Sequence, residues 1–302
     1  MTTPTYRGRF APSPTGSLHF GSLVAAVGSF LDARHYSGEW LVRIEDLDRT
    51  REVAGAASSI LNSLENFGFY WDGEITYQSH RTDLYAEVVD RLLSLGLAYP
   101  CSCSRKTIQA QAVLGDEGPI YPGTCRSGPI DRDMQHSIRV MTQDMEITIQ
   151  DRVQGSYSQN LAQEIGDFVI RRSDGFHAYQ LAVVIDDAMQ KITHVVRGAD
   201  LLSSSPRQRY LQQLLGFSKP NYLHLPLAID HTGRKLSKQD KDAPVDPKHP
   251  MDSLLLALEF LGQPLPPERP TSLDELWHWS INAWRSDNIS AKANYVAINP
   301  AP

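Results

Sequence analysis

The sequence predicts an α/β protein built around a parallel β-sheet with helices on its faces. Strand-like and helix-like segments alternate over residues 1–99, and the alternation resumes over residues 176–240. Between them, residues 100–175 break into short, turn-rich pieces. This pattern is typical of a Rossmann-like sheet domain that carries an inserted α+β subdomain, and we expect a short helical tail over residues 241–302.

The N-terminal part of the chain has a strand, loop and helix pattern. Tyr6 to Phe10 is predicted to form a strand, and Ala11 to Ser17, which contains Pro and Gly, a loop. Leu18 to His35 follows with apolar residues at helical spacing. Trp40 to Ile44 is predicted as a second strand that ends at Glu45. Two amphipathic helices are predicted after it, around Ile60 to Phe67 and Leu84 to Leu95.

After the inserted segment, strands and helices alternate again. A helix is predicted over Pro206 to Leu215, and a polar, Pro-rich loop over Asp240 to Pro250. The tail contains two predicted helices, Ser253 to Leu261 and Leu273 to Trp284, and a capping-box pattern from Ser272 to Glu275 precedes the second. Three segments have the composition of strands: Ala178 to Ile185, His194 to Val196 and Tyr222 to Ile229.

Composition excludes several classes of protein. No apolar run approaches the roughly 20 residues that span a bilayer, and the N-terminus lacks the apolar stretch of a signal peptide, so we expect a cytoplasmic protein. We also expect a monomer. The net charge of −6 argues against a surface that coats nucleic acid as a whole. Local basic patches remain at Arg207 with Arg209 and at Arg234 to Lys241, although each alone is typical of a solvated charged face.

A candidate nucleotide site lies where the first predicted strand meets the first predicted helix. Anionic groups bind at helix N-termini beyond the carboxyl ends of parallel strands. His19 could add a side-chain donor there, and Gly21 and Ser22 begin the helix. The spacing of Gly16, Gly21 and Ser22 resembles a P-loop but lacks its lysine, which excludes that motif. Taken alone, His19 is more typical of a helix cap or a packing residue.

A second candidate for phosphate binding is the segment Gly233 to Lys238. Lys235 and Lys238 lie three residues apart after an apolar strand, where a mobile loop could close over a polyphosphate. A pair of lysines alone is usually solvated surface. Either segment alone is therefore a weak signal.

Together these segments resemble the HIGH and KMSKS signatures of class I aminoacyl-tRNA synthetases. The match to glutamyl-tRNA synthetases is more specific and covers roughly residues 6–240. Two departures stand out: Ser22 replaces the final His of the first signature, and Gln239 replaces the usual Ser or Arg after the second. Three stretches carry the resemblance: Arg9 to Gly16 with Leu18-His19, Arg43 to Asp48, and His194 to Asp200.

A glutamate pocket needs a guanidinium for the side-chain carboxylate and an acidic group for the amine. Arg9, Glu45 and Arg197 lie at the ends of predicted strands, which converge on one crevice in a parallel sheet. The alternative is that Arg9 and Glu45 only pair with each other. The resemblance assigns Arg9 and Arg197 to the side-chain carboxylate, Glu45 to the α-amino group, and further pocket contacts to Tyr179, Ala11 and Ser13.

Cys101, Cys103 and Cys125 are spaced for a metal rather than for disulfides. Three thiolates leave a structural zinc site one ligand short, and His136 is the first candidate from the residues alone. The resemblance points instead to Tyr121, through a Cys-x-Cys and Tyr-x-x-x-Cys arrangement. The alternative is a set of ordinary buried cysteines. We therefore expect one structural Zn²⁺.

The resemblance also implies substrates: L-glutamate, ATP with Mg²⁺, and tRNA. Glutamyl-tRNA synthetases continue past the lysine loop into helical anticodon-binding domains, for which residues 239–302 are too few. That shortening resembles paralogues that transfer glutamate to queuosine in the anticodon loop of tRNA(Asp). Two alternatives remain open: a minimal glutamyl-tRNA synthetase that charges a tRNA 3′ end, and a non-enzymatic sensor of glutamate or nucleotide.

Overall fold

The first half of the fold is a short parallel sheet with its connecting helices. A computed structural model describes residues 6–128, 135–229, 245 and 249–291, and the backbone of 294–296. The first elements are β1 (Arg7–Phe10), α1 (Phe20–His35), β2 (Glu39–Ile44), α2 (Ala56–Asn66), β3 (Thr76–Tyr77) and α3 (Thr82–Ser94). The strands pair in parallel in the order β1–β2–β3, which confirms the predicted start of the parallel sheet.

Helix α1 forms the centre of the main hydrophobic core. Its residues from Leu23 to Leu31 are all buried except Ala25, because the sheet and the tail helices cover it from opposite sides. Gly28 permits a close approach to the sheet, since a Cβ there would lie 2.7 Å from Leu225 Cδ1. Gly8 of β1 lies against Ala33 near the end of α1, so the helix runs back along the strand and its N-terminus lies towards the carboxyl end of β1.

The segment after α3 forms small antiparallel sheets. β8 alternates exposed and buried residues, as a strand with one buried face should. β4, β7 and β10 pair antiparallel, and β5 pairs with β6. The elements are β4 (Ala98–Cys101), α4 (Arg105–Gln111), β5 (Leu114–Gly115), β6 (Gly118–Pro119), β7 (Ser137–Val140), β8 (Glu146–Asp151), β9 (Gly155–Asn160), α5 (Leu161–Glu164) and β10 (Val169–Arg171).

A second parallel arrangement follows. The elements are α6 (Tyr179–Met189), β11 (His194–Gly198), α7 (Ser205–Leu215), β12 (Asn221–Leu225) and β13 (Leu227–Ile229). The strand order is β11–β12–β8–β9, with β12 parallel to both neighbours. β8 thus joins this sheet from within the predicted inserted segment, whose limits stay a prediction. Thr193 N donates to Arg7 O at 2.9 Å and so ties β11 to β1.

Two predicted strands differ from the structure. Ala178 is the N-cap of helix α6, and residues 179–185 lie in that helix rather than in a strand. The prediction was wrong because Leu181 to Asp187 are all buried, and such a run shows no periodicity that separates a helix from a strand. The β-branched residues Val183, Val184 and Ile185 are typical of strands and favoured that prediction. The strand predicted over 222–229 is split into β12 and β13 at Pro226, which has no N–H for the ladder.

The C-terminal helices pack on α1, as the shared core of Leu254, Leu258 and Trp277 with α1 shows. The capping box is half formed: Ser272 Oγ accepts from Glu275 N, but the Glu275 carboxylate accepts from Thr271 instead. None of the helices in the described residues is long and apolar enough to cross a bilayer. The elements are α8 (Pro250–Phe260), α9 (Leu273–Ala283) and β14 (Asn294–Val296), which pairs in parallel with β13.

Candidate functional site

His19 caps the N-terminus of α1. Its backbone is extended, and its Nδ1 accepts from Ser22 N at 3.2 Å, while Ser22 Oγ lies 2.9 Å from Nε2. His19 therefore caps the helix, the role that was the alternative to phosphate binding. The first turn, with Gly21 and Ser22, lies just beyond β1, where its backbone N–H groups and the helix dipole favour an anion.

Glu45 and Tyr179 line one cleft at the end of β2. The cleft has a volume of about 240 Å³ and is also lined by Ser13. Glu45 N donates to Pro12 O at 3.0 Å, which joins the strand end to the loop after β1. Burial raises the pKa of Glu45, against the opposing effects of Arg43 and Arg9. The carboxylate is thus poised to gain from a cationic ligand.

Arg9 lies deeper than the cleft lining and is only 3% exposed. Its Nε and Nη2 donate to the two carboxylate oxygens of Asp187, at 3.1 and 3.3 Å. The same Asp187 pairs with Arg43 at 2.9 Å, and Arg43 lies 3.3 Å from Glu45 Oε1. Burial would raise the pKa of Asp187, but the two guanidinium groups outweigh it and hold that pKa below its ordinary value.

Arg197 is the third buried guanidinium of the region, 5% exposed on β11. Its Nη1 donates to the hydroxyl of Tyr179 at 3.3 Å, so it reaches the cleft through a residue that lines it. Its Nη2 donates to Ser205 Oγ at 2.8 Å and its Nε to His224 Nε2 at 3.0 Å. A cation held at three points in this way keeps one orientation.

The structure brings together four residues that were predicted to converge: Arg9, Glu45, Tyr179 and Arg197. The alternative, in which Arg9 and Glu45 pair only with each other, is not what the structure shows. The ion pairs of the described residues join Arg9 to Asp187 and Glu45 to Arg43, not Arg9 to Glu45. Ala11 follows β1 directly and is half-buried outside the cleft lining. Sequence reasoning missed Asp187 and His224. The Asp186-Asp187 pair in an apolar segment was the available signal for the first.

The three cysteines and Tyr121 converge on one point. The sulfur atoms of Cys101, Cys103 and Cys125 all lie within 4.8 Å of one another, with Cys103 and Cys125 at 3.5 Å. The Tyr121 hydroxyl lies 3.3 Å from Cys101 Sγ and 3.6 Å from Cys103 Sγ. Tetrahedral zinc with Zn–S bonds of about 2.3 Å requires donor separations of about 3.8 Å, so this donor set fits zinc.

His136 is not among the donors that group with the cysteines in the described residues. Arg139 instead completes the surroundings: its Nε donates to Cys101 Sγ at 3.3 Å, and its guanidinium lies 3.9 Å from the centre of the Tyr121 ring. A cation at this place favours a cluster of thiolates. Gly166, with a φ of +73°, lets Tyr121 approach, because a Cβ there would lie 2.4 Å from Tyr121 O.

Several predicted residues lie elsewhere. Lys235 and Lys238, like the rest of the predicted lysine loop and Lys241, lie outside the described residues. Arg207 lies at the start of α7, where its Nη2 donates to Glu117 at 2.5 Å. The predicted basic patch is thus weaker than its residues suggested, because the Arg207 charge is paired with a carboxylate.

Comparison with known proteins identifies the family. Residues 5–253 match the catalytic domain of class I tRNA synthetases (E and Q). A Chromobacterium violaceum protein named glutamyl-Q tRNA(Asp) synthetase is 51% identical over 291 residues, which cover 96% of this chain and 97% of that protein. A protein of the same name from Pseudomonas putida KT2440 is 53% identical over 268 residues, with coverages of 89% and 87%.

Two solved structures share the fold. The glutamate-tRNA synthetase of Elizabethkingia anophelis superimposes with a TM-score of 0.80 at 27% identity, covering 97% of this chain and 68% of that one. A glutamate tRNA ligase of Elizabethkingia meningosepticum, solved in complex with its amino acid, gives the same TM-score and identity and covers 67% of its chain. These similarities confirm the family that the sequence motifs indicate.

Proposed function

This chain belongs to the class I tRNA synthetases for glutamate and glutamine, and we propose that it activates L-glutamate with ATP and transfers glutamate to queuosine in tRNA(Asp). The observation that carries this proposal is the high identity, over nearly the whole chain, to proteins named glutamyl-Q tRNA(Asp) synthetase. The buried cations around one carboxylate-lined cleft support glutamate as the amino acid.

Glutamate recognition is assigned to the residues that converge on the cleft. Arg9 and Arg197 bind the side-chain carboxylate, and Glu45 binds the α-ammonium group, whose charge offsets the cost of ionising a buried carboxyl. The Tyr179 hydroxyl adds a polar contact, and Ser13 and the backbone at Ala11 close the pocket. Glutamine has the same α-ammonium group but lacks the side-chain carboxylate, so the two guanidinium groups give the pocket its preference for glutamate.

ATP binds across the N-terminus of α1 and the lysine loop. An oxygen of the glutamate α-carboxylate attacks the α-phosphorus, the bond to the bridging oxygen breaks, and Mg²⁺ pyrophosphate leaves. His19, Gly21 and Ser22 donate to the phosphates, and Lys235 and Lys238 stabilise the charge on the leaving group. No tRNA is needed for this step, because all of these groups belong to one chain.

The second step transfers the activated glutamate. A hydroxyl of the queuosine side chain attacks the glutamyl carbonyl, loses its proton, and AMP leaves with the electrons of the broken acyl-phosphate bond. A splayed base of an anticodon loop can enter an active site as a terminal ribose does. Arg209 and Lys241 would supply phosphate contacts on the approach, which makes binding sensitive to salt.

The cysteine cluster is proposed to hold one structural Zn²⁺. Cys101, Cys103, Cys125 and Tyr121 would be its four ligands, since their donor atoms lie at tetrahedral spacing. The cluster is built on β4 and the loop before β7, away from Glu45 and Tyr179. The ion would therefore fix this local structure rather than act on the substrates.

Labelled glutamate tests the acceptor. The protein is incubated with ATP, radioactive glutamate and tRNA(Asp) that either contains or lacks queuosine, alongside tRNA(Glu). We expect label only on queuosine-containing tRNA(Asp), and we expect this labelling to persist after enzymatic removal of the 3′-terminal adenosine. Equal labelling of the unmodified tRNA(Asp), or labelling of the tRNA(Glu) 3′ end, favours the minimal synthetase. Absence of glutamate-dependent ATP–pyrophosphate exchange favours the sensor.

A further inference from the structure

His224, on β12, lies directly behind Arg197, and its side chain is fully buried. Arg197 Nε donates to His224 Nε2 at 3.0 Å. Since an arginine N–H can only donate, Nε2 must accept, and the imidazole proton must lie on Nδ1. That proton faces the equally buried Asp151, whose Oδ2 is 2.6 Å from Nδ1.

Asp151 is itself held so that only one oxygen is left for the histidine. Its Oδ1 accepts from three backbone N–H groups: Val153 at 3.0 Å, Gln154 at 2.8 Å and His224 at 3.2 Å. Burial raises the pKa of Asp151, but the hydrogen bond with His224 and the backbone donors outweigh it and keep the carboxyl ionised. The carboxylate therefore selects the Nδ1–H tautomer of His224.

We propose that Asp151 and His224 are positioning residues for glutamate recognition, which orient Arg197 towards the substrate side-chain carboxylate. Neither residue touches the cleft that Tyr179 and Glu45 line, so they act through Arg197. The inference rests on the proposed function, because it concerns the amino acid that Arg197 binds.

The geometry explains why a neutral imidazole suits this place. The imidazole donates its Nδ1–H to the buried Asp151 carboxylate and accepts from Arg197 Nε at its Nε2. It therefore links the anion to the cation without adding a second positive charge. Burial lowers the pKa of His224 more than Asp151 raises it, which favours that neutral form. With Nε engaged and Nη2 bonded to Ser205 Oγ at 2.8 Å, Nη1 is turned to Tyr179 and the cleft.

The inference predicts that Asp151→Asn inverts the tautomer. The asparagine carbonyl would keep the three backbone donors, so its amide N–H would face His224 Nδ1 and make that nitrogen an acceptor. The imidazole proton then moves to Nε2, where it faces the Nε–H of Arg197. The same change of tautomer follows when the aspartate behind the histidine of a serine protease is replaced by asparagine. His224→Gln is milder, because the amide oxygen can still accept from Arg197.

The test measures glutamate-dependent ATP–pyrophosphate exchange for the native chain, Asp151→Asn, His224→Gln and the control His194→Gln. His194 lies at the opposite end of β11, where it stacks on Tyr6. We expect the KM for glutamate to rise by about tenfold or more in Asp151→Asn, the effect of one lost hydrogen bond to a charged group, and by less in His224→Gln. The KM for ATP and the control should stay within about twofold of the native values.

A native glutamate KM in Asp151→Asn, or a KM for ATP that rises as much as that for glutamate, overturns the inference. If the native chain shows no glutamate-dependent exchange, the proposed function fails instead. Nitrogen-15 NMR of histidine-labelled native protein needs no variant and decides the case if Asp151→Asn does not fold. A His224 resonance pair of the Nδ1–H tautomer supports the inference, and the Nε2–H tautomer contradicts it.

Discussion

Arg9 and Asp187 form a buried two-point ion pair, with Nε 3.1 Å from Oδ1 and Nη2 3.3 Å from Oδ2. Asp187 also pairs with Arg43 at 2.9 Å, so that one carboxylate balances two buried guanidinium groups. Its side chain is 10% exposed, and water can therefore do little to replace it. This ion pair keeps Arg9 ordered in the region that we propose binds glutamate.

The first prediction concerns Asp187→Asn. The change keeps the shape but leaves Arg9 and Arg43 without their shared anion, and breaking a buried pair costs about 3–5 kcal/mol of the free energy of unfolding. Urea unfolding at pH 7 measures it. The matched control is Asp174→Asn, which breaks the exposed pair with Arg172 and should cost less than about 1 kcal/mol. Similar losses in the two variants would contradict the prediction.

The regular helices could be predicted from the sequence, and the long-range contacts could not. α1, α2, α3 and α7 follow from apolar periodicity, and the cysteine cluster follows from residues close together in the chain. α6 is buried along most of its length, so its sequence carries no helical stripe.

The candidate site shows the same limit. Arg9, Glu45 and Arg197 could be placed together because parallel strand ends converge. Their partners could not be predicted, because Asp187 lies 178 residues from Arg9 and nothing in one sequence shows which buried charges face each other. His224 and Asp151 are separated by 73 residues and were missed for that reason.

The second prediction concerns acid. Burial would raise the pKa of Asp167, but Arg126 and the hydrogen bonds from Thr142 and Tyr99 lower it below its ordinary value of 3.8. A carboxyl whose pKa is lowered by folding stabilises the native state above its unfolded pKa, and that contribution is lost as the pH falls through the folded pKa. The free energy of unfolding should therefore decline between about pH 5 and pH 2.

Asp167→Asn isolates this effect. The variant should have a lower free energy of unfolding than the native chain at pH 7. This difference should shrink as the pH falls, because protonation of the native carboxylate weakens its ion pair and hydrogen bonds. Urea unfolding at several pH values measures both chains. A difference in free energy that stays constant from pH 7 to pH 3 would show that Asp167 does not carry the predicted linkage.

The third prediction concerns the metal. Freshly purified protein should contain one zinc per chain, and Cys125→Ser should lower both the zinc content and the melting temperature, since metal binding to a structural site stabilises the fold. Lys106→Ala, an exposed change on the neighbouring helix α4, is the control and should keep one zinc. Metal analysis and thermal unfolding give the readouts, and protein free of zinc without exposure to chelator would refute the site.

Tyr121→Phe separates the fourth ligand from the other three. The hydroxyl also accepts from Cys125 N at 3.0 Å, so its loss removes both a metal donor and a local hydrogen bond. We expect weaker zinc binding, measured by competition with a chromogenic chelator. Unchanged affinity would leave water or His136 as the fourth ligand.

The last prediction concerns the lysine loop. Charge develops on the β- and γ-phosphates as the α-carboxylate of glutamate displaces pyrophosphate, and a positioned cation that meets this charge stabilises the transition state more than the bound substrates. Lys238→Ala should therefore lower the rate of glutamate-dependent ATP–pyrophosphate exchange by about 10²-fold, the size expected for one such donor. Lys235→Ala should also lower the rate of exchange.

Lys219→Ala is the control, because it removes an exposed lysine between α7 and β12 and should leave exchange unchanged. Because the exchange assay contains no tRNA, its loss in Lys238→Ala cannot come from weaker tRNA binding. Native exchange in Lys238→Ala would remove the loop from the chemical step and leave the helix N-terminus at His19 as the phosphate site.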